Sequence, residues 1–176
     1  MNQILFDNDL INSRLKVISN SINGYYNSVA LLHPLQILVL ANGGLTYAVD
    51  LTRLLYIPFT LDTVIIKSYN EKSQGEIDLK YFPNIDLSNR HILILDDIYD
   101  TGTTIQFMKN YIEQKHTNFC SINVSTMVWN LNNCDGNPRH QPDWYCFSTN
   151  GEWIWGRGLD NDGVDRNLLD IWYKKE

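Results

Sequence analysis

The sequence predicts a three-layer α/β fold in which a mainly parallel central sheet is flanked by helices. Short apolar runs rich in β-branched residues alternate along the chain with segments whose apolar residues recur at helical spacing. Polar or glycine-rich loops follow three of the apolar runs, and parallel sheets bind ligands at the edge where such loops lie. The chain has 176 residues, 44% of them hydrophobic, which suffices for one core, and it contains no repeat or linker. We therefore expect residues 1–176 to form a single domain.

The composition argues against several classes of protein. The net charge of −6 disfavours a nucleic-acid partner, because nucleic-acid-binding surfaces usually carry a basic excess. The three cysteines, Cys120, Cys134 and Cys146, are too widely spaced for a disulfide framework or a zinc site, so we expect reduced thiols and a cytoplasmic location. The N-terminal residues lack the basic region and apolar core of a signal peptide, and no apolar run is long enough to span a membrane.

The first part of the chain predicts a helix, a buried strand and a second helix. Residues 10–29 carry apolar side chains at helical spacing, namely Leu15, Ile18, Ile22 and Tyr25. Residues 35–41 form a β-rich apolar run, which a glycine turn at 42–44 and a helical pattern at 45–55 follow. A strand, a glycine turn and a helix in this order direct backbone N–H groups at an anion. A glycine pair after a strand is also common in a simple tight turn, so both interpretations stay open at this point.

Two more strands are predicted in the middle of the chain. Residues 59–68 contain a β-branched apolar run, and residues 76–81 alternate polar and apolar side chains as an exposed strand does. Residues 69–75 between them are polar and predict a loop. That loop would be either a mobile lid over a site or an inert surface connection.

The central strand, residues 92–95, leads into the stretch that indicates function most directly. It ends in Asp96 and Asp97, Asp100 follows, and a Thr/Gly loop precedes a helical pattern over residues 103–115. Carboxylates accept hydrogen bonds from the vicinal hydroxyls of a ribose, and Asp100 could take or hold a proton. The loop offers N–H groups and hydroxyls to a phosphate at a helix N-terminus through Thr101, Gly102, Thr103 and Thr104. The stretch thus predicts a binding site for a sugar that carries phosphates.

This stretch also has features of three other motifs. Asp97 or Asp100 could serve only as a cap for the following helix. A P-loop is excluded, because the chain has no Gly-x4-Gly-Lys-Ser/Thr pattern. The aspartate-rich motif of isoprenoid synthases has a similar spacing, but it lies on helices of all-helical proteins, whereas this stretch follows a β-rich run.

The last part of the chain predicts short strands separated by irregular connections. Residues 119–128 are β-rich, and residues 130–142 are rich in Asn, Asp, Gly and Pro. Residues 153–155 predict a short aromatic strand, residues 156–166 a loop, and residues 168–173 a closing or edge strand.

Residues 92–104 resemble the thirteen-residue phosphoribosyl pyrophosphate signature of type I phosphoribosyltransferases. The resemblance runs from about residue 37 to residue 170. Residues 41–44 resemble the pyrophosphate loop of that family, and residues 68–69 the start of its flexible catalytic hood. Residues 153–160, followed by 166–168, are similar to the C-terminal segment of the hypoxanthine, guanine and xanthine branch. The resemblance implies the type I phosphoribosyltransferase fold with a small C-terminal hood, and a 6-oxopurine as the base.

The resemblance also implies a role for each matching residue. Asp96 and Asp97 would bind the ribose hydroxyls, and Asp100 would lie near the purine N7 and assist its proton. Ser68 and Tyr69 would close over the reaction centre. The 5′-phosphate would be held by Asp100, Thr101, Gly102, Thr103 and Thr104.

A second group of residues would serve the leaving group and the base. Pyrophosphate would meet Ala41, Asn42, Gly43 and Arg166. Trp153 would stack on the base, the Ile154 backbone would contact its edge, and Trp129 or Asn130 would lie near it. Asp160 would belong to the shell of a Mg²⁺ ion, which neutralises the leaving pyrophosphate.

The activity implied is transfer of a phosphoribosyl group from phosphoribosyl pyrophosphate to a purine base in purine salvage, by a homodimer or homotetramer. The alternative is a regulator of the same fold that senses phosphoribosyl pyrophosphate without turnover. A pyrimidine transferase is disfavoured by residues 153–160.

The chain departs from the branch at two positions. Asn42 stands in the pyrophosphate loop where the branch usually has Lys or Arg, which predicts either weaker binding of pyrophosphate or help from another basic residue such as Arg166. The branch also carries a Lys after the strand that ends near Val128, and Trp129 or Asn130 stands there instead. An Asn amide can donate to an oxo group or accept from an amino group, so the choice of base stays open.

Overall fold

Nine strands and three α-helices form the part of the chain that the computed structural model describes, residues 1–30, 32–68, 77–133 and 141–175. A short 3₁₀ helix (Leu131–Asn133) follows the sixth strand. In chain order the elements are β1 (Asn2–Phe6), α1 (Asn8–Asn27), β2 (Leu35–Ala41), α2 (Gly44–Thr52), β3 (Phe59–Ser68), β4 (Ile77–Tyr81), β5 (His91–Tyr99), α3 (Thr103–Lys115), β6 (Ser121–Asn130), β7 (Trp144–Thr149), β8 (Ile154–Trp155) and β9 (Ile171–Lys174).

A six-stranded sheet forms the centre of the molecule, with the strand order β4-β3-β2-β5-β6-β7. The pairs β2–β3, β2–β5, β5–β6 and β6–β7 are parallel, and only β3–β4 is antiparallel. The predicted mainly parallel sheet is therefore confirmed. Because β2, β3, β5 and β6 run in the same direction, the loops that follow them leave from one edge of the sheet.

Helices cover both faces of this sheet. On one face α1 and α2 share a buried cluster with side chains of β2 and β5, including Ile37, Val39 and Leu95. On the other face α3 packs over Leu38 and Ile94. Side chains of one strand alternate between the faces, so β2 contributes to both clusters. This arrangement confirms the predicted three-layer architecture.

The helix boundaries follow local chemistry. The Asp7 side chain accepts a hydrogen bond from the Leu10 N–H (2.8 Å), so α1 begins at Asn8, two residues before the predicted start. Gly102, with φ 76°, precedes α3 and adopts the left-handed conformation that glycine tolerates. Gly102 occupies the N-cap position of α3, so the interpretation of Asp97 or Asp100 as the N-cap residue is wrong.

Two strands were absent from the prediction. β1 pairs antiparallel with β9, and β9 pairs with β8, in a separate three-stranded sheet. The predicted C-terminal hood is thus a sheet to which the N-terminus also contributes. The second missed strand, β7, extends the central sheet beyond β6.

The acidic residues of the signature lie inside a strand and do not end it. β5 continues to Tyr99 because Ile98 and Tyr99 pair with Val128 and Trp129 of β6. The expectation that Asp96 and Asp97 end the strand is therefore wrong by two residues. The strand placement itself contradicts the helical aspartate-rich alternative.

Some expectations fall outside the described residues, among them the predicted loop at 69–75. The strands on either side of it are present, since Ser68 pairs with Ile77. Among the described residues Cys120 and Cys146 are free thiols, as predicted, and Cys134 lies outside them. No helix in the described part of the chain has the length and apolar character that crossing a membrane requires.

Candidate active site

The loop after β2 lies directly against the acidic end of β5. A Cβ atom added to Gly43 would collide with the carboxylate of Asp97, and one added to Gly44 would lie 2.9 Å from the Leu95 carbonyl oxygen. The peptide bond between Ala41 and Asn42 is cis. Glycine is required here because the backbone of the loop approaches the neighbouring strand too closely for any side chain. The predicted pyrophosphate loop and the predicted ribose-binding acids therefore share one edge of the sheet.

Asp96 and Asp97 form a coupled pair of half-buried carboxyl groups. The Asp97 N–H donates to Asp96 Oδ1 (3.0 Å), and the Ile98 N–H donates to Asp97 Oδ1 (2.8 Å). Burial raises the pKa of both groups, and the charge of Asp97 raises that of Asp96 further. At Asp97 the increase in pKa is opposed by hydrogen bonds and by the positive charge of Arg166. Such a pair favours a shared proton, a hydroxyl donor or a cation beside it.

Asp100 is held from the adjacent strand. It lies just beyond β5 and is exposed, while Asn130 at the end of β6 is buried. The Asn130 Nδ2 donates to Asp100 Oδ1 (2.6 Å), and the Asn132 N–H donates to Asn130 Oδ1 (3.1 Å). The predicted proton-handling residue and one of the two predicted base-reading residues are thus in direct contact.

The Thr/Gly loop forms the N-terminus of α3. The Thr101 and Thr103 hydroxyls are hydrogen-bonded to each other (2.7 Å), and the Thr103 N–H lies 3.3 Å from Thr101 Oγ1. Thr104 is the second residue of α3 and is half-buried. A cavity of about 470 Å³ borders the loop, and it is lined by Ile77, Tyr99, Thr101, Gly102, Thr103, Gln106, Phe107 and Asn110. The loop therefore faces an open space at the positive end of a helix, as an anion site requires.

The C-terminal segment reaches the same edge of the sheet. A Cβ atom on Gly158, whose φ is 105°, would lie 2.5 Å from the Gly43 carbonyl oxygen. The Arg166 guanidinium donates to the Gly158 carbonyl (2.6 Å) and to Asp160 Oδ1 (2.7 Å). Gly43 is therefore enclosed by Asp97 on one side and Gly158 on the other, with Arg166 close by.

Trp153 and Trp129 differ in their surroundings. The Trp153 side chain is 60% exposed, and its Nε1 donates to Asn161 Oδ1 (3.3 Å). Trp129 packs against the buried cluster under α3 and contacts Tyr145 edge to face, with ring centroids 5.0 Å apart. Trp153 thus has an aromatic surface to offer a planar ligand, whereas the Trp129 ring is largely occupied by packing.

Two residues that the sequence pattern did not single out, Arg157 and Ile98, help to build the site. Arg157 is buried (6% exposed) and pairs with Asp50 of α2 at 2.9 Å. In the sequence, the hint of this role is a basic residue between two glycines. Ile98 lies between Asp96 and Asp100 and packs against the cluster that contains Ile154. In the sequence, the only hint of this role is an isoleucine among acidic residues, at a position with no evident structural need for an apolar side chain.

The remaining predicted residues are placed as follows. Ile154 is buried in β8, and Ala41 ends β2 beside the exposed Asn42. Ser68 is the last residue of β3. Tyr69 lies outside the described residues.

The acidic side chains at this edge of the sheet are the candidate ligands for Mg²⁺. Over the described ranges no three Asp, Glu, His or Cys side chains converge on a common point. Asp160 accepts from Arg166 through Oδ1 and from the Gly163 N–H through Oδ2 (2.9 Å). Mg²⁺ commonly binds through one or two carboxylates together with substrate phosphates and water. The acids present fit a metal of that kind and not one caged by the protein alone.

Comparison with known proteins points to one family. The family model of the phosphoribosyl transferase domain matches residues 7–162. A hypoxanthine-guanine-xanthine phosphoribosyltransferase of Tritrichomonas foetus is 28% identical over 182 residues, which cover 100% of this chain and 93% of that protein. A hypoxanthine-guanine phosphoribosyltransferase of Streptococcus pneumoniae is 27% identical over 137 residues, with coverage of 76% and 73%.

Solved structures share the same fold. A hypoxanthine phosphoribosyltransferase of Staphylococcus aureus aligns with a TM-score of 0.87 at 20% identity, covering 98% of this chain and 91% of that one. A hypoxanthine phosphoribosyltransferase of Trypanosoma cruzi, in complex with the product IMP, aligns with a TM-score of 0.84 at 22% identity, with coverage of 98% and 93%. At these identities the likeness is one of fold.

Proposed function

This chain belongs to the phosphoribosyltransferase family, and we propose that it transfers the 5-phosphoribosyl group of phosphoribosyl pyrophosphate to a 6-oxopurine in purine salvage. The products would be a purine nucleotide and pyrophosphate. The observation that carries the proposal is the meeting of three segments at Gly43, which lies between Asp97 of the signature strand and Gly158 of the C-terminal segment. The relatives named for hypoxanthine, guanine and xanthine support the choice of base.

The signature stretch would bind the sugar and its phosphate. Asp96 and Asp97 accept the ribose hydroxyls, and these hydrogen bonds favour the ionised carboxylates that burial disfavours when it raises the pKa of both groups. The 5′-phosphate binds at the start of α3, where Thr101 and Thr103 supply hydroxyls and backbone N–H groups. These contacts orient C1 of the ribose toward the base and pyrophosphate.

The leaving pyrophosphate would lie against the loop at Gly43. The loop approaches β5 so closely that its backbone N–H groups can reach the ligand without a side chain in the way. Arg166 supplies positive charge, although it would first have to loosen its contact with Asp160. That charge takes on importance because Asn42 is neutral. Closure by Ser68 and Tyr69 stays a prediction, and its purpose would be to keep water from C1.

Mg²⁺ would be held by pyrophosphate oxygens together with Asp160 or the Asp96–Asp97 pair. When bound, it would neutralise negative charge on the leaving pyrophosphate. The base would stack on Trp153, with Ile154 and Ile98 as its apolar neighbours. Asp100 would hold the proton at N7 of the base as the new bond forms at N9.

The test is a panel of four bases, hypoxanthine, guanine, xanthine and adenine, each with phosphoribosyl pyrophosphate and Mg²⁺. We expect nucleotide to form with at least one 6-oxopurine. Binding of phosphoribosyl pyrophosphate is measured in parallel by calorimetry. Measurable binding without nucleotide from any base would contradict the enzyme and favour the second candidate.

That second candidate is a sensor of phosphoribosyl pyrophosphate that does not turn it over. Neutral residues at the two positions where the related branch is basic, namely Asn42 and either Trp129 or Asn130, favour it. Retention of Asp100 in contact with Asn130 favours the enzyme, because a sensor has no use for a proton-handling group at the base.

Assembly and location also belong to this proposal. Exposed apolar side chains on and near α2, including Val49 (48%), Tyr56 (70%) and Leu61 (44%), suit a homodimer or homotetramer. Sedimentation velocity measures the assembly directly. We also propose a cytoplasmic location, which suits the free thiols at Cys120 and Cys146.

A further inference from the structure

The Trp153 ring is held at its edge by a hydrogen bond, although most of its surface is exposed. The side chain is 60% exposed, and the indole Nε1–H donates to Asn161 Oδ1 (3.3 Å). A tryptophan at the surface can occupy several staggered rotamers, and a base that stacks on the ring has to meet one of them. The bond to Asn161 selects one rotamer and sets the plane of the ring before a ligand arrives.

The side-chain amide of Asn161 has a fixed polarity. Its Oδ1 accepts from Trp153, and its Nδ2 donates to Asp165 Oδ2 (3.2 Å). An indole N–H only donates hydrogen bonds, and an ionised carboxylate only accepts them. Turning the amide over would therefore set N–H against N–H at Trp153 and oxygen against oxygen at Asp165. Asn161 thus keeps its oxygen directed at the indole.

The backbone that carries Asn161 is itself held in a tight turn. The Asn161 N–H donates to the Val164 carbonyl (3.0 Å), and the Val164 N–H donates to the Asn161 carbonyl (3.2 Å). Asp162 and Gly163, which lie between them, have φ 51° and 87°, the left-handed conformations of a hairpin turn. The turn therefore offers the indole an acceptor at a defined place.

The same segment carries the residue proposed to meet pyrophosphate. Asp165, which accepts from Asn161, directly precedes Arg166 in the chain. Arg166 in turn pairs with Asp160 at 2.7 Å. The ring that would stack on the base is thus fixed to the segment that would bind the leaving group, and the two are positioned together.

We propose that Asn161 is a positioning residue that fixes the plane of the Trp153 indole for stacking on the substrate base, through an amide anchored on Asp165. The inference rests on the proposed function, in which Trp153 stacks on the base. Asn161 acts through the indole N–H and not through the base itself. A purine then meets an aromatic surface that is already ordered, so binding does not have to order it.

The first test measures two KM values in Asn161→Ala, one for the 6-oxopurine that the wild type uses best and one for phosphoribosyl pyrophosphate. We expect KM for the base to rise by about 3- to 10-fold, the effect of one ordinary hydrogen bond, and KM for phosphoribosyl pyrophosphate to stay unchanged. A general loss of structure would raise both. Asn167→Ala, at an exposed asparagine of the same segment, is the matched control and should change neither. Thermal melting shows whether each variant is folded.

The second test removes the indole N–H. Trp153→Phe retains an aromatic face but has no donor for Asn161. In that background Asn161→Ala should have no further effect on KM for the base, because the two residues act through one bond. The double variant Asn161→Asp with Asp165→Asn reverses the second hydrogen bond and keeps an acceptor for the indole. We expect it to retain the wild-type KM.

A third measurement needs no turnover. In a ¹⁵N spectrum the five tryptophans give five indole signals, and the signal that Trp153→Phe removes belongs to Trp153. We expect that signal to shift in Asn161→Ala and to stay in place in Asn167→Ala, because only the first variant loses the bond to the indole N–H.

The outcomes separate this proposal from the proposed function. The role of Asn161 is overturned, and the transferase left standing, by a folded Asn161→Ala variant with an unchanged KM for the base or an unmoved Trp153 signal. An equal rise in KM in the Trp153→Phe background has the same meaning, because Asn161 would then act by another route. Absence of nucleotide from every base in the wild type overturns the transferase itself, and with it the use of Trp153 by a substrate.

Discussion

At the scale of single residues, the contact between Gly43 and Asp97 joins the two halves of the candidate site. Gly43 has φ −58° and ψ −50°, a conformation that any residue can adopt, so its lack of a side chain serves space and not backbone freedom. The space is occupied by the Asp97 carboxylate on one side and by Gly158 on the other. We expect this position to be intolerant of even one added methyl group.

Gly43→Ala should therefore lower kcat/KM for phosphoribosyl pyrophosphate by about 10- to 100-fold, because the methyl group displaces either the loop or Asp97. Steady-state kinetics with a saturating base measures the effect. Gly24→Ala is the matched control, since nothing lies within 4 Å of a Cβ atom at that helical position. It should leave kinetics unchanged and stabilise the fold by about 0.5–1 kcal/mol. Equal kinetics for the two variants would remove Gly43 from the site.

Asp100→Asn keeps the shape of the side chain, and its oxygen can still accept from Asn130. The variant cannot take up the N7 proton, so we expect turnover to slow by roughly 100-fold with little change in the affinity for phosphoribosyl pyrophosphate. Rapid-quench kinetics and calorimetry measure the two quantities. The control is Glu113→Gln, an exposed acid farther along α3. An unchanged rate in Asp100→Asn would exclude Asp100 from the chemistry.

At the scale of elements, Arg157 attaches the C-terminal segment to the helices beneath it. Its guanidinium donates to Asp50 of α2 (2.9 Å), to Asn8 of α1 (2.8 Å) and to the Leu169 carbonyl (3.0 Å). Because α2 starts at the loop that contains Gly43, this attachment also fixes the segment relative to that loop. The base-binding and pyrophosphate-binding elements are thereby held together by a residue that touches neither ligand.

Replacing Arg157 with Leu should destabilise the protein by about 3 kcal/mol, because it leaves the carboxylate of Asp50 without its buried partner. Urea unfolding measures the change in free energy. Arg53→Leu is the control: Arg53 is an exposed residue at the end of the same helix, and its loss should cost less than about 0.5 kcal/mol. A loss of stability for Arg157→Leu no greater than for Arg53→Leu would show that the attachment is not needed.

At the scale of the whole molecule, the central sheet separates the candidate site from a structural cluster at its opposite end. His91 begins β5, where it is buried, bonds to Ser121 Oγ at 2.8 Å and stacks edge to face with Tyr26 and His33. Burial, together with the nearby His33, lowers the pKa of His91 from its ordinary value. The folded state therefore favours the neutral form of His91.

The sign of the pH dependence follows from that preference. The unfolded chain takes up a proton near pH 6.5, whereas the folded chain resists it until a lower pH, so stability falls as the pH drops below about 6.5. The raised pKa of the Asp96–Asp97 pair acts in the opposite direction. Comparing the free energy of unfolding between pH 7.5 and 5.5 in the wild type and in His91→Gln isolates the histidine. A wild-type decrease that persists unchanged in the variant would contradict its role.

Features that depend on local sequence patterns could be predicted, whereas those that depend on contacts between distant residues could not. The central sheet and its helices were predictable because β2, β5 and α3 have long, periodic apolar patterns. β1 was not, because its five residues form a strand only by pairing with β9 at the far end of the chain. The residues of the signature were predictable because their types and spacing match a phosphate and ribose site. The contacts of Arg157 and of Asn130 depend on which distant residues meet, and local sequence holds no record of that.

We propose that the base, ribose and pyrophosphate sites meet at one edge of the sheet and support transfer. The yield of both products, from limiting phosphoribosyl pyrophosphate with excess hypoxanthine and Mg²⁺, is the decisive measurement. We expect one nucleotide and one pyrophosphate for each phosphoribosyl pyrophosphate consumed, with no pyrophosphate when the base is omitted. Pyrophosphate release without nucleotide, or binding of phosphoribosyl pyrophosphate with neither product from any purine base, would contradict it.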